Sequence, residues 1–429
     1  MIKNRVFKNA SWLIGVRIVQ SFFSLIVTML TARLLGPSNF GLINYASSIV
    51  TFVEPVMNLG FTGILVHEMV TDEDNEGTIL GTAILSSLVS SVLCIAGILC
   101  FVSIANPGEK VTLIVCALYS LVLVAKALEL NLYWYQAHLL SKYTALISFG
   151  AYVVISAYKI FLLVTQQSIY WFALSSAFDY LIIALAQFGF YQKLGGKQLR
   201  FSADVLKKML HKSKYYILSG LMISVFAQTD RVMLKIMVDD AAVGFYSAAV
   251  ACANLTSFVF VAIIDSASPS IFAAKKESET AFLNNTRGLY SVVIYGALLQ
   301  SIALTLLAKP AIYILYGSDF DPAILALRII VWYTGFSYIG SARNRWMLAE
   351  NKQHLIWRID VSGAAANVLL NYLLIPRFGI YGAAAASLIT QIFTNVIVTS
   401  ILKEVRPSVK LMVQSLNPMV LVQLAKKIR

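Results

Sequence analysis

Charge is scarce in this chain. Asp, Glu, Lys and Arg make up 13% of its 429 residues, against roughly 25% in a soluble globular domain. That shortage excludes an ordinary water-facing surface wrapped around one apolar core. Cysteine is scarcer still: Cys94, Cys100, Cys116 and Cys252 are the whole set, and all lie inside apolar runs. Without metal-ligand spacing they read as packing residues, so no metal site is expected. No G-x-x-x-x-G-K-[ST] loop occurs, which argues against a built-in nucleotide hydrolase.

What the chain has instead is apolar residues, 59% of the total. They come in runs of about 20, the length of a membrane-crossing helix. Backbone groups inside lipid must be paired within the segment, which makes these runs helices. A transmembrane barrel would show roughly 10-residue alternating segments, and none are visible. The net charge of +13 is read as topogenic Lys and Arg rather than a nucleic-acid surface, so no nucleic acid is expected as a partner. The basic start, MIKNRVFKNASW, leads into a long apolar run without a small-residue cleavage site, as a first span does and a removable signal does not. Aromatics are plentiful, and Trp12, Trp134 and Trp171 fall near span ends, as in interface belts.

Twelve spans are predicted, at about 10–34, 41–66, 78–105, 111–137, 144–165, 169–191, 215–238, 244–272, 288–308, 323–348, 355–375 and 380–402. An even number puts both termini on one side, and Lys and Arg decide which. With the N-terminus inside, the inner segments hold Lys3, Arg5 and Lys8, the seven basic residues from Lys193 to Lys214, then Lys275, Lys276, Arg287 and the six from Lys403 to Arg429. The outer loops hold Arg33, Lys110, Lys309 and Arg377. This asymmetry gives N-in, C-in. The inner stretch HEMVTDEDNEG (67–77) is acidic, but acids contribute little to orientation. The basic stretch 192–214 divides the chain into a six-helix lobe at 1–191 and another at 215–402, with a cytoplasmic tail at 403–429.

One phrase recurs. FGLINYA (40–46) is echoed by VGFYSAA (243–249) and FGIYGAA (378–384). Gly41 and Gly244 are 203 residues apart, each after the first helix of its half, as in a parallel repeat. All three copies fall at outer turns, and their small residues suit close helix packing.

These residues resemble a known family. RLLGPSNFG (33–41) and DRVMLKIMVDDAAVGFYSAA (230–249) are similar to the polysaccharide translocases, the O-antigen flippase (Wzx-type) branch of the multidrug/oligosaccharidyl-lipid/polysaccharide exporter superfamily. GAAANVLLNYLLIPRFGIYGAAAASLITQ (363–391) resembles that family's penultimate hairpin, and YWYQA (133–137) its aromatic-Gln-small signature. His138 and Leu139 stand where an acid often follows, and Gln391 where related sequences often have Glu. The resemblance implies two six-helix lobes around a central cavity. It implies movement of an undecaprenyl diphosphate-linked oligosaccharide from the cytoplasmic to the outer leaflet of a bacterial inner membrane, in lipopolysaccharide or related polysaccharide biosynthesis. The implied partners are that lipid-linked oligosaccharide, membrane lipids and a polysaccharide polymerase machinery.

Such cargo needs a polar, cationic route. An intramembrane charge costs ~2.5–3.5 kcal/mol on insertion scales, so an unpaired one reads as a functional candidate. The candidates for substrate binding are Arg17, Arg231, Lys235, Lys159 and Arg328; Arg231 and Lys235 share a face at i,i+4. The candidates for ion coupling are Asp265, Glu54, Asp230 and Asp179. Glu54 precedes Pro55, and Pro269 frees the carbonyl of Asp265, so each acid marks either an ion site or an ordinary kink. Lys126 and Glu129, at i,i+3, neutralise each other or belong to a site. Arg343, Arg345 and Arg358 lie near inner helix ends, where they can snorkel. With no cofactor implied, a H⁺ or Na⁺ gradient is the expected energy source.

Two rival classes make different demands on the sequence. An enzyme of the same pathway needs a substantial outer loop, and the longest here, 309–322, has about 14 residues. A multidrug cation antiporter of the same superfamily would line its route with acids. The Arg and Lys content of the spans favours an anionic cargo.

Overall fold

The computed structural model describes the backbone of residues 2–421 and the side chains of residues 25–421, and every regular element among them is a helix. In chain order these are α1 (Ile2–Met57), α2 (Leu65–Thr71), α3 (Glu76–Ala105), α4 (Lys110–Ser120), α5 (Val122–Glu129), α6 (Leu132–Ala137), α7 (Ser141–Val164) and α8 (Ile169–Lys193). Then come α9 (Ala203–Met237), α10 (Asp240–Ala253), α11 (Ser257–Glu277), α12 (Glu279–Leu306), α13 (Ala308–Leu315), α14 (Ala323–Ala349) and α15 (Ile356–Ile392). A π-helical stretch, Phe393–Val398, leads into α16 (Thr399–Ile401), and α17 (Arg406–Gln414) follows.

Among the described residues, ten helical segments are long and apolar enough to cross a membrane. Two of them hold more than one pass. In α1, Gly36 has φ 74° and ψ 170°, and in α15, Gly379 has φ 54° and ψ −129°, conformations that glycine adopts without a Cβ clash. The chain reverses at both. Leu30 and Ile43 pack against one cluster formed by Leu162, Leu163 and Phe172. Gly382 lies so close to Leu374 that a Cβ there would meet the Leu374 carbonyl oxygen at 2.3 Å. The predicted eighth span is built from α10 and α11 in series, and the fourth from α4 to α6. The protein is thus an all-α, multi-pass membrane protein whose helices accommodate the twelve predicted passes. Large apolar side chains such as Leu93, Ile104 and Val164 are exposed, as lipid-facing residues are.

The recurring phrase does the same packing job each time. Its small residues Ala46, Ala248, Ala249, Ala383 and Ala384 are at most 1% exposed. A polar cap starts the helix that carries the second copy: Asp239 Oδ1 accepts from the Ala242 N–H at 2.7 Å.

The chain divides into two compact units, Met1–Gln228 and Thr229–Arg429, and the division falls within α9. In unit 1 the basic stretch that leads into and begins α9 is fastened to the acidic turn around α2 and α3. Lys212 Nζ lies 2.6 Å from Glu68, Lys197 Nζ donates to the Glu73 carbonyl at 2.6 Å, and the Arg200 N–H donates to the Gly77 carbonyl at 3.3 Å. Trp134, expected at the membrane interface, is instead 2% exposed and packs edge-on to Tyr135 and Tyr191.

Candidate functional site

Each unit contains a polar interior, and the two are built differently. In unit 2 the centre is Asp230, near the end of α9 and 5% exposed. Its Oδ1 accepts from Asn371 Nδ2 at 2.6 Å and Asn367 Nδ2 at 3.1 Å. Its Oδ2 accepts from Ser387 Oγ at 2.5 Å and from the Tyr246 hydroxyl. Asn367 and Asn371 are one helical turn apart and share a face of the first limb of α15, while the reversal at Gly379 brings Ser387 back on the second limb. Tyr246 comes from α10, beside the buried alanines of the recurring phrase. One carboxylate therefore ties three elements together. One oxygen in the cage, Asn371 Oδ1, is buried without a hydrogen-bond partner.

The neighbouring cations have partners on α10. Arg231 Nε donates to Ser247 Oγ at 3.0 Å. Lys235, 6% exposed, is ion-paired to Asp240 at 2.8 Å. Within the predicted cationic stripe, Lys235 is thus paired to an acid at the next helix start. Arg328, on α14, is exposed.

In unit 1 a cavity of about 240 Å³ is lined by Glu54, Asn58, Thr62, Lys126, Glu129, Tyr133 and Tyr180, with Met57, Leu130 and Leu132. Lys126 Nζ bonds Glu54 at 2.7 Å and sits 4.9 Å from the centre of the Tyr180 ring. This corrects the reading of Lys126 as a simple partner of Glu129: its hydrogen-bonded partner is 72 residues away, brought in by the packing of α1 on α5. Glu129 feels Lys126, Asp179 and Glu54 electrostatically. Asp179 on α8 and Lys159 on α7 attract each other, and Asp179 Oδ1 is buried with no hydrogen bond. Three acids and two lysines share this interior. Lys159, expected to meet an anionic cargo, faces an acid instead.

Two further expectations change. Asp265 was expected buried beside the carbonyl freed by Pro269. Its side chain is 56% exposed and ion-paired to Arg345 at 2.7 Å, because that face of α11 turns away from the core formed by Phe260, Ile264 and Ile271. Arg343 was expected to snorkel. It is 3% exposed and donates to Asn395 Oδ1 at 2.9 Å, an oxygen presented by the π-helical stretch. Local widening of this kind often marks a functional position. The side chain of Arg17 lies outside the described residues. The residues that sequence reasoning missed as a set are Tyr246, Asn367, Asn371 and Ser387. Their signal was present as two asparagines one turn apart on an apolar helix, where a polar side chain needs a partner.

Residues 6–275 match the family model described as "Polysaccharide biosynthesis protein", more than half of the chain, and the protein belongs to that family. No curated protein matches it. Among solved structures, it is similar to the lipid II flippase MurJ in an inward closed conformation, with a TM-score of 0.75 and 14% identity over 96% of this chain and 92% of that one. It is also similar to an inward-facing multidrug resistance MATE family transporter of the MOP superfamily, with a TM-score of 0.69 and 12% identity over 91% and 95%. A third is a MOP superfamily transporter from Pyrococcus furiosus whose binding pocket is described as of reverse polarity, with a TM-score of 0.56 and 11% identity over 97% and 96%. At these identities the likeness is one of fold.

Proposed function

We propose that this protein is a flippase, and not an enzyme, that moves an undecaprenyl diphosphate-linked oligosaccharide from the cytoplasmic to the outer leaflet of a bacterial inner membrane, driven by an ion gradient. The family match and the flippase fold support a lipid-linked saccharide as cargo. Arg231, on α9, is the group for the diphosphate, with Arg17 a separate candidate from the sequence; O-antigen and other polysaccharide repeat units share that anchor.

The observation that carries the transport reading is the Asp230 cage. A lone buried carboxylate costs several kcal/mol unless matched by a cation, a proton or donors. Here neutral donors match it, and all of them sit on side chains that also bear an oxygen. Turning the Asn367 and Asn371 amides would exchange their N–H groups for carbonyl oxygens around Asp230. Together with Ser387 and Tyr246 this makes an oxygen-rich locus of single negative charge, suited to Na⁺ or a proton and short of the several carboxylates a dedicated divalent site uses. Because the oxygens come from α9, α10 and both limbs of α15, ion binding would bias how these elements pack, which is what coupling requires.

The test is twofold. Deleting the gene should make lipid-linked repeat units accumulate on the cytoplasmic leaflet. In vesicles containing the purified protein and a lipid-diphosphate saccharide, an imposed Na⁺ or H⁺ gradient should accelerate appearance of the saccharide on the far leaflet. Absence of both effects overturns the reading. A multidrug cation antiporter is the alternative, favoured by the excess acid in unit 1. It predicts export of lipophilic cations instead, with no accumulation of lipid-linked units.

A further inference from the structure

A second polar cavity, of about 300 Å³, lies within unit 2 among the N-terminal part of α12, the end of α14 and α17. Its wall includes Glu279, Arg287, Trp346, Glu350, Lys352 and Lys410. The charges do not balance. Lys275 pairs with Glu279 at 2.8 Å and also with Glu350, and Lys352 lies 3.4 Å from Glu350. Lys275 and Lys352 thus match the two acids. Arg287 and Lys410 remain, and neither has an acidic partner among the described residues.

The hydrogen-bond inventory points the same way. Trp346 is 2% exposed, and its Nε1–H has no acceptor. Arg287 Nε is also buried without one. Both are donors only, so what they lack is an acceptor. Buried donors of this kind are rare in folded proteins and call for an explanation. The wall itself is fixed in place. The Ser408 hydroxyl of α17 lies 2.5 Å from the Tyr290 hydroxyl of α12, Ser291 Oγ donates to the Ser415 carbonyl at 3.1 Å, and the Tyr295 hydroxyl donates to the Leu416 carbonyl at 2.6 Å. The cavity is at the level where α14 ends and the chain leaves its last pass, on the side that the Lys and Arg distribution assigns to the cytoplasm.

We propose that this cavity is a binding site for a phosphate-bearing anion at the cytoplasmic membrane surface, with Arg287 and Lys410 supplying the charge and the Trp346 and Arg287 N–H groups supplying hydrogen bonds. It is separate from the Asp230 cage and does not depend on the identity of the cargo. A phospholipid headgroup and a soluble phosphate or diphosphate offer the same oxygens, so the test separates them.

The full-length protein is extracted from bilayers of equal phosphatidylglycerol and phosphatidylcholine, and retained lipid is read by native mass spectrometry. In parallel, inorganic phosphate and pyrophosphate are titrated calorimetrically into the lipid-free protein. Preferential retention of phosphatidylglycerol assigns a lipid headgroup, and binding of phosphate or pyrophosphate alone assigns a soluble ligand. In either case R287Q/K410Q should weaken binding by at least about tenfold, since charge-assisted hydrogen bonds are lost. W346F keeps an aromatic ring but loses the N–H donor, and should weaken it about threefold. E350Q removes an acid from the wall and should tighten it. W346F and E350Q, with melting curves, carry the test if the double variant does not fold. No anion preference in the wild type, or unchanged binding in the variants that fold, overturns the proposal.

Discussion

Two interiors face one problem, a carboxylate below the surface of a membrane protein, and they solve it differently. In unit 1 the acids are set against lysines: Glu54 against Lys126 at 2.7 Å, and Asp179 opposite Lys159. In unit 2 Asp230 has no lysine or arginine among its hydrogen-bond donors in the described residues; four neutral groups hold it. An ion pair is neutral as built and gains nothing from a further cation. A carboxylate held by neutral donors keeps its charge and remains attractive to one. The contrast teaches that counting intramembrane acids says little about coupling, and that what surrounds each acid decides.

The largest expected effect breaks the comparison at Asp230. Asp230→Asn should remove the response of transport to an imposed gradient, measured in vesicles. It should also cost about 1–3 kcal/mol of stability, because an acceptor is replaced by a donor inside a ring of donors. If gradient dependence survives undiminished, the cage is structural.

Next is the Lys126–Glu54 pair. Lys126→Met leaves Glu54 facing Glu129 without its partner, and should lower stability by roughly 1–3 kcal/mol, less than the 3–5 of a fully buried pair because Glu54 is 30% exposed. Adding Glu54→Gln should recover most of the loss in thermal melts. Equal destabilisation of the single and double variants would show that packing, and not charge, holds this cavity.

A smaller effect is expected at Asp265, whose ion pair with Arg345 is exposed. Asp265→Asn should change stability by at most about 1 kcal/mol and leave gradient dependence intact. A coupling defect in this variant would move the ion site out of the Asp230 cage.

The smallest effect concerns the inner latches. Burial alone would raise the Glu68 carboxyl, but hydrogen bonds and charge from Lys212, with His67 and Lys208 adding, lower it below its ordinary value of 4.5. Burial opposes, and Lys275 and Lys352 likewise lower, Glu350. A depressed carboxyl stabilises the fold above 4.5 and loses that contribution as pH falls through its folded-state value. The melting temperature should therefore hold down to about pH 4.5 and fall below it. Glu68→Gln should flatten part of that fall.

Much of the fold was legible in the sequence because lipid leaves the backbone few options. A run of about 20 apolar residues must be a helix, and the passes at α3, α7, α8, α12 and α14 lie where apolar length alone puts them. The reversals at Gly36 and Gly379 were legible for the same kind of reason, since Gly-Pro and Arg-Phe-Gly interrupt apolar runs with residues that tolerate a turn. Asp230 was legible as a buried acid, and Arg231 and Lys235 as deep cations. Their partners were not. Asp240, Ser247 and Tyr246 are near in sequence, but which of them meets which charge depends on the break between α9 and α10.

The sequence by itself determined that the chain crosses a membrane repeatedly and which charges fall within its apolar runs. Those properties follow from local composition and length, each readable within some twenty residues. The tertiary structure decided which of those charges are already matched. Lys126 finds Glu54 across 72 residues, Arg345 finds Asp265 across 80, and Asp230 finds Asn371 across 141 and Ser387 across 157. Pairing of that kind is set by which helix faces meet in three dimensions, because a charge in a low-dielectric interior takes its meaning from neighbours a few ångströms away, whatever their distance along the chain.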